Sequence, residues 1–168
     1  MLNTFDILET IKMIDEEHLD IRTVTMGISL RDCASDSVPK VADKVYDKIC
    51  RRAEKLVKTC DDIANEYGIP IINKRVSVTP ISFLCDSVDT DDVLPIAVKM
   101  QRAAETVGIN FIGGFSALVH KGYTTGDRRL IAAIPQALAE TECVCSSVNV
   151  ATTRAGINMD AVEEMGKV

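Results

Sequence analysis

The sequence predicts an α/β fold in which strands and helices alternate along one parallel sheet. Three observations carry this. Four short segments read as strands, and three of them alternate apolar and polar positions. Between them run stretches whose apolar residues recur at helical spacing. Gly, Pro and cap residues fall at the joints. Strand–helix–strand alternation of this kind implies parallel strands with helical crossovers.

The first predicted element is an amphipathic helix over Phe5 to His18, with Ile7, Leu8, Ile11 and Ile14 on one stripe. Ile21 to Leu30 follows as the first strand. Ser35 or Asp36 then caps a long helix, with Pro39 tolerated in its first turn, that runs to about Tyr67 and stops at Gly68 and Pro70. Val38, Val41, Val45, Ile49, Ala53, Leu56, Val57, Cys60, Ile63 and Ala64 form its single apolar stripe.

A second strand covers Asn73 to Thr79, closed by Pro80. A helix from about Asp92 to Val107 ends at Gly108. Ile109 to Gly113 reads as a short third strand leading into a tight turn at Gly113-Gly114. Lys121-Gly122 and Thr125-Gly126 read as turns, and Asp127 opens a short helix that Pro135 interrupts or restarts. Cys143 to Val150 is the fourth strand. Asn158 caps a last helix, Met159 to Val168. No repeat, linker or second domain is evident over residues 1–168. A four-stranded parallel sheet is small and the last helix has no closing signal, so the expectation is one partial domain, truncated at its C-terminus.

Charge excludes several functions. Nineteen basic against twenty-five acidic residues give a net charge of −6, which argues against binding nucleic acid or an anionic membrane surface. The basic residues Lys48, Arg51, Arg52, Lys55 and Lys58 sit in a stretch, Asp36 to Tyr67, where seven basic residues meet seven acidic ones, so they read as a solvated face. No apolar run is long enough to span a bilayer, and the N-terminus lacks the basic start and apolar core of a signal peptide. The expected location is the cytoplasm, with the six cysteines reduced. Cys143 and Cys145 have chelating spacing, but no second Cys or His pair completes a metal site.

The strand faces point to where a site lies. In the first strand Val24, Met26, Ile28 and Leu30 oppose Thr23, Thr25, Gly27 and Ser29. In the second, Val76 and Val78 oppose Arg75, Ser77 and Thr79. In the fourth, Val144, Val148 and Val150 oppose Cys143, Cys145, Ser147 and Asn149, with Ser146 breaking the apolar side. A parallel sheet covered on both faces shows near-continuous apolar runs instead. Buried hydroxyls without partners cost roughly 1 to 3 kcal/mol each, so the polar face lines a hydrated cavity, meets something outside this chain, or stands in water. Ligands of parallel sheets gather at the carboxyl ends of the strands. The candidate ligand-binding residues are therefore Ser29, Arg31, Asp32, Thr79, Gly113, Gly114, Ser116, Ser147, Asn149 and Arg154. Arg31 and Arg154 suit a carboxylate or phosphate, and the diglycine lets backbone amides approach an anion. His18 and His120 have no evident catalytic partner.

The stretches TVTMGISLRDC (Thr23 to Cys33), RVSVTPIS (Arg75 to Ser82), FIGGFSALVHKGY (Phe111 to Tyr123) and CSSVNVATTRAGINMDAV (Cys145 to Val162) resemble the uncharacterised PFL family, domain of unknown function 711. The resemblance is to the N-terminal part of longer proteins. It implies about half of a pyruvate-formate-lyase-like α/β barrel and a small regulatory ACT-domain partner linked to amino acids; the unpaired edges of a half-barrel add the expectation of a homo-oligomer. It brings no catalytic residues and no cofactor. The expected function of the parent is an enzyme acting on a small polar or anionic metabolite inside the barrel, with Cys145 as candidate nucleophile or hydrogen-atom relay. The alternatives are a non-catalytic binding or sensor protein with the same pocket, and an inactive fragment.

Overall fold

The computed structural model describes residues 3–17 and 20–168; His18, the predicted end of the first helix, lies outside them. Helix α1 (Thr4–Asp15) begins at Asn3, whose side chain accepts a hydrogen bond from the Asp6 amide while the Asp6 carboxylate accepts one from the Asn3 amide. None of its residues is buried. Ile7, Leu8 and Ile11 of its apolar stripe are exposed, as is Phe5, and Ile14 is half-buried.

Strands β1 (Ile21–Ile28), β2 (Ile71–Val78), β3 (Phe111–Leu118) and β4 (Val144–Asn149) form one parallel sheet in the order β1-β2-β3-β4. A sheet wound in chain order with crossovers of constant hand carries all its crossover helices on one face. Covering both faces requires the order to reverse. The burial pattern follows this rule. Ile28, Val76, Val78, Ile112, Phe115, Ala117 and Val144 are buried, and on the other face Gly27, Ser77, Cys145, Ser147 and Asn149 are exposed. The helical layer consists of α2 (Val38–Ala53), α3 (Leu56–Tyr67), α5 (Leu94–Val107) and α6 (Thr125–Glu140). Helices α3, α5 and α6 pack on the strands, and α2 packs on α5 and on the edge strand β1.

The structure corrects several expected elements. The long predicted helix is two helices, because the chain turns at Glu54-Lys55. The buried positions Ile49, Ala53, Leu56 and Cys60 keep their spacing across the break, so the stripe conceals it. Ser37 stands at its N-cap, without a side-chain cap bond. Asp36 instead pairs with Lys40 and accepts from the Ser35 hydroxyl. A one-turn helix, α4 (Ser82–Cys85), follows β2 where none was predicted. Helix α6 starts at Thr124, in a capping box with Asp127, and Thr125-Gly126 form its first turn. Pro135 lies inside α6 on its exposed side, and the helix continues to Glu140.

The largest correction concerns β3. Gly113-Gly114 is not a turn after a short strand; it lies within an eight-residue strand. Gly113 stands opposite Cys145 and Phe115 opposite Ser146, so Gly114 is one residue too many, a β-bulge. Its φ of +127° is open to glycine and strained for other residues. The extra residue shifts the alternation by one. Ile112 before it and Phe115, Ala117 and Val119 after it are all buried, while Gly113 and Ser116 take the other face. The Gly114 carbonyl accepts a hydrogen bond from the Ile81 amide at 2.9 Å, fixing the bulge against the chain after β2.

Beyond β4 the chain forms a small antiparallel hairpin, β5 (Ala151–Thr152) and β6 (Gly156–Ile157), then α7 (Met159–Lys167). Asn158 caps α7 as the sequence predicts, accepting from the Ala161 amide at 3.3 Å. Among the described residues no helix is long and apolar enough to cross a membrane.

Candidate functional site

The uncovered sheet face is built of short rows read across the strands. One row runs Thr25, Arg75, Phe111; the next Gly27, Ser77, Gly113, Cys145; beyond the bulge come Ser116 with Ser147, then Leu118 with Asn149. Two of four positions in the second row are glycine, and a Cβ added at Gly27 or Gly113 would meet no atom within 4 Å. That row is a shallow floor with open space above it.

Its electrostatics are lopsided. The chain carries twenty-five acidic residues, yet the four strands of the sheet contain no Asp or Glu at all. Arg75 is half-buried, its guanidinium 5.2 Å from the centre of the Phe111 ring. Its Nε is buried with no hydrogen-bond acceptor. Among the described residues no carboxylate pairs with it; the sheet residues that do form ion pairs are Arg22, with Asp20, and Lys74, with Asp61 of α3. A guanidinium with an unfilled donor on a carboxylate-free floor attracts anions.

The predicted site residues divide into three groups. Gly113, Ser116, Ser147, Asn149 and Cys145 share the open face. Cys145 is an exposed cysteine, and its sulfur has only the Cys143 carbonyl, at 3.9 Å, as polar partner. Ser116 is buried and donates to the Gly114 carbonyl at 3.2 Å. Ser29 is exposed just past β1. Thr79 and Gly114 hold the frame. The Thr79 hydroxyl accepts from the Leu30 amide at 3.1 Å, joining the ends of β1 and β2.

Arg31, Asp32 and Arg154 stand at the periphery. Arg31 opens a 3-10 turn (Arg31–Cys33) and lines a hollow of about 260 Å³ with Ala34, Phe83 and Leu84. Asp32 is hydrogen-bonded to Lys48 of α2, which holds its carboxyl below the ordinary value. It borders a hollow of about 310 Å³ where Lys44, Lys48 and Arg51 face both Asp32 and Asp47. Arg154 is exposed in the β5–β6 turn.

The strand alternation puts Arg75 and Ser77 on the polar face, although neither is among the predicted site residues. The strand alternation was the available signal for Ser77. Nothing in the sequence shows that the Arg75 Nε lacks an acceptor. His120 is half-buried, and its Nδ1 also lacks a partner. Among the described residues no group of three or more His, Cys, Asp or Glu stands where it would hold a metal ion.

Comparison with known proteins places the chain in a family. It belongs to the family described as Uncharacterised ACR (DUF711), which matches residues 12–168. It is similar to UPF0210 proteins of Acetivibrio thermocellus, at 64% identity over 168 residues, of Halothermothrix orenii, at 62%, and of Ruminiclostridium cellulolyticum, at 61%. Each match covers 100% of this chain and 37% of the relative. The chain thus spans well under half the length of these relatives.

Proposed function

We propose that the open sheet face binds a small anionic or polar metabolite, and that the sheet is a sector of an α/β barrel whose interior this face lines. The observation that carries the reading is the unneutralised Arg75 guanidinium on a floor without carboxylates. The strand order supports the barrel sector, because a singly wound parallel sheet with helices on one side is how such barrels are built. Their interiors hold the ligand near the carboxyl ends of the strands.

In the longer protein this site is read as that of an enzyme, with Cys145 as the nucleophile the open face offers. A second reading, a binding or sensor protein without turnover, is favoured by one observation. Cys145 has no hydrogen-bonded base to activate it. On either reading the face itself supplies cationic, hydroxyl, thiol and amide groups, so any carboxylate acid or base comes from elsewhere.

The test is thermal unfolding of the protein with a panel of small carboxylates and phosphate esters, compared with Arg75→Gln and Arg75→Lys. We expect members of the panel to raise Tm in the wild type, to lose the effect in Arg75→Gln, and to regain part of it in Arg75→Lys. Equal shifts in the wild type and Arg75→Gln refute the reading.

A further inference from the structure

The polar rows run out at the carboxyl ends of β3 and β4, where two turns face each other. After β3 the chain turns at Lys121-Gly122; after β4 it turns through the β5–β6 hairpin. Between them lies a hollow of about 480 Å³ lined by His120, Lys121, Thr152, Thr153, Arg154 and Ala155.

Its lining contains two full cations and no carboxylate. Among the described residues neither Lys121 nor Arg154 pairs with an acid. Asp160 borders the adjoining hollow rather than this one. The Thr152 hydroxyl oxygen accepts from the Ala155 amide at 3.0 Å, which leaves its proton free to be donated. The His120 Nδ1 is buried and unpartnered, a group that normally finds a partner.

The two turns are held in place before any ligand arrives. Asn158 bridges them: its side-chain amide donates to the Val119 carbonyl at 2.7 Å and its backbone amide to the Val150 carbonyl at 2.9 Å. A preformed hollow with a planar guanidinium fork, an ammonium and hydroxyl donors matches a tetrahedral oxyanion.

We propose that this hollow is an oxyanion subsite that takes the phosphate group of a small phosphorylated metabolite, held by Lys121 and Arg154. It rests on the open-face reading for the remainder of that ligand. The position, beyond the carboxyl ends of parallel strands, is where such folds place phosphate groups.

The test uses calorimetric titration of the protein, as its source cells make it, with inorganic phosphate at fixed ionic strength set by chloride. We expect saturable binding that weakens by about tenfold or more in the Lys121→Gln/Arg154→Gln double variant, the loss of one charge-assisted hydrogen bond at least. Thr153→Val, at an exposed position, serves as a second and milder variant expected to weaken binding in the same direction. Absence of phosphate binding in the wild type, unchanged affinity in the double variant, or equal competition by chloride overturns the subsite. Arg75→Gln separates the two readings. If it abolishes phosphate binding while the double variant does not, the subsite falls and the open-face reading stands.

Discussion

Replacing Gly114 by alanine is the sharpest perturbation this fold offers. The new Cβ would lie 2.4 Å from Val78 Cγ2 and 2.7 Å from the Val78 carbonyl oxygen. Val78 belongs to the strand beside the bulge and is buried, so it cannot swing aside into solvent. Two costs combine. Holding an L-residue at φ +127° costs about 1 to 3 kcal/mol, and forcing a methyl into a packed interface costs about 1 to 3 kcal/mol more. The expected loss is about 2 to 6 kcal/mol, a large share of a typical domain's ~5 to 15 kcal/mol stability.

Gly113 is the internal control. It stands one residue earlier on the open face, and its added Cβ meets nothing within 4 Å. Gly113→Ala is expected within about 0.5 kcal/mol of wild type, as for ordinary exposed substitutions. Urea unfolding followed by far-UV circular dichroism measures both, the midpoint falling sharply for Gly114→Ala alone. If the two variants unfold at the same midpoint, the bulge does not set the alternation of β3 and the reasoning fails.

Further expectations concern thiols, charge and capping. Cys145 is exposed, whereas burial raises the thiol pKa of Cys33, Cys50 and Cys60 and pushes Cys85 up to about 12; native iodoacetamide labelling read by peptide mass is therefore expected to modify Cys145 first and Cys85 last, and early loss of the Cys85 peptide would contradict the packing. Lys48→Met is expected to raise the Asp32 pKa toward its ordinary 3.8. Because the folded value is depressed, the pair's contribution to stability is present above that pH and disappears as pH falls through the folded value; a carboxyl NMR titration unchanged by the substitution would dissolve the pair. Thr124→Ala removes the hydroxyl acceptor for the Asp127 amide and should lower stability by about 1 kcal/mol in the same urea experiment, a result indistinguishable from wild type counting against the capping box.

Much of this architecture is written in the chain, and the failures have physical causes. β1, β2 and β4 keep one period throughout, although Lys74 and Ser146 stand on the apolar side, so their faces are legible from period alone. β3 is not, because the bulge at Gly114 breaks the period and Gly-Gly in a sequence reads as a turn. The break between α2 and α3 carries neither Gly nor Pro, and its apolar stripe stays in phase. Helix α4 has four residues, too few to show a period. The sequence points to Asp127 as the start of α6, whereas it is the third helical residue, closing a capping box opened by Thr124.

The candidate site divides along the same line. Position is largely legible: the loops carrying Arg31 and Arg154 follow strand ends, and Cys145, Ser147 and Asn149 follow from alternation, while Lys121 is hidden by the misplaced end of β3. Partnership is not. That Asp32 is occupied by Lys48, that Thr79 is spent on the Leu30 amide, and that Arg75 and His120 keep unfilled nitrogens depends on contacts between residues far apart in the chain.

The most direct test of the central claim is a crystal structure of the protein grown with a small anion that raises its Tm. Density is expected over the Gly27–Ser77–Gly113–Cys145 floor, with an oxygen within hydrogen-bond reach of the Arg75 guanidinium. Density instead in the hollow beside Lys44, Lys48 and Arg51 of α2, with the sheet face packed against other protein, would contradict it.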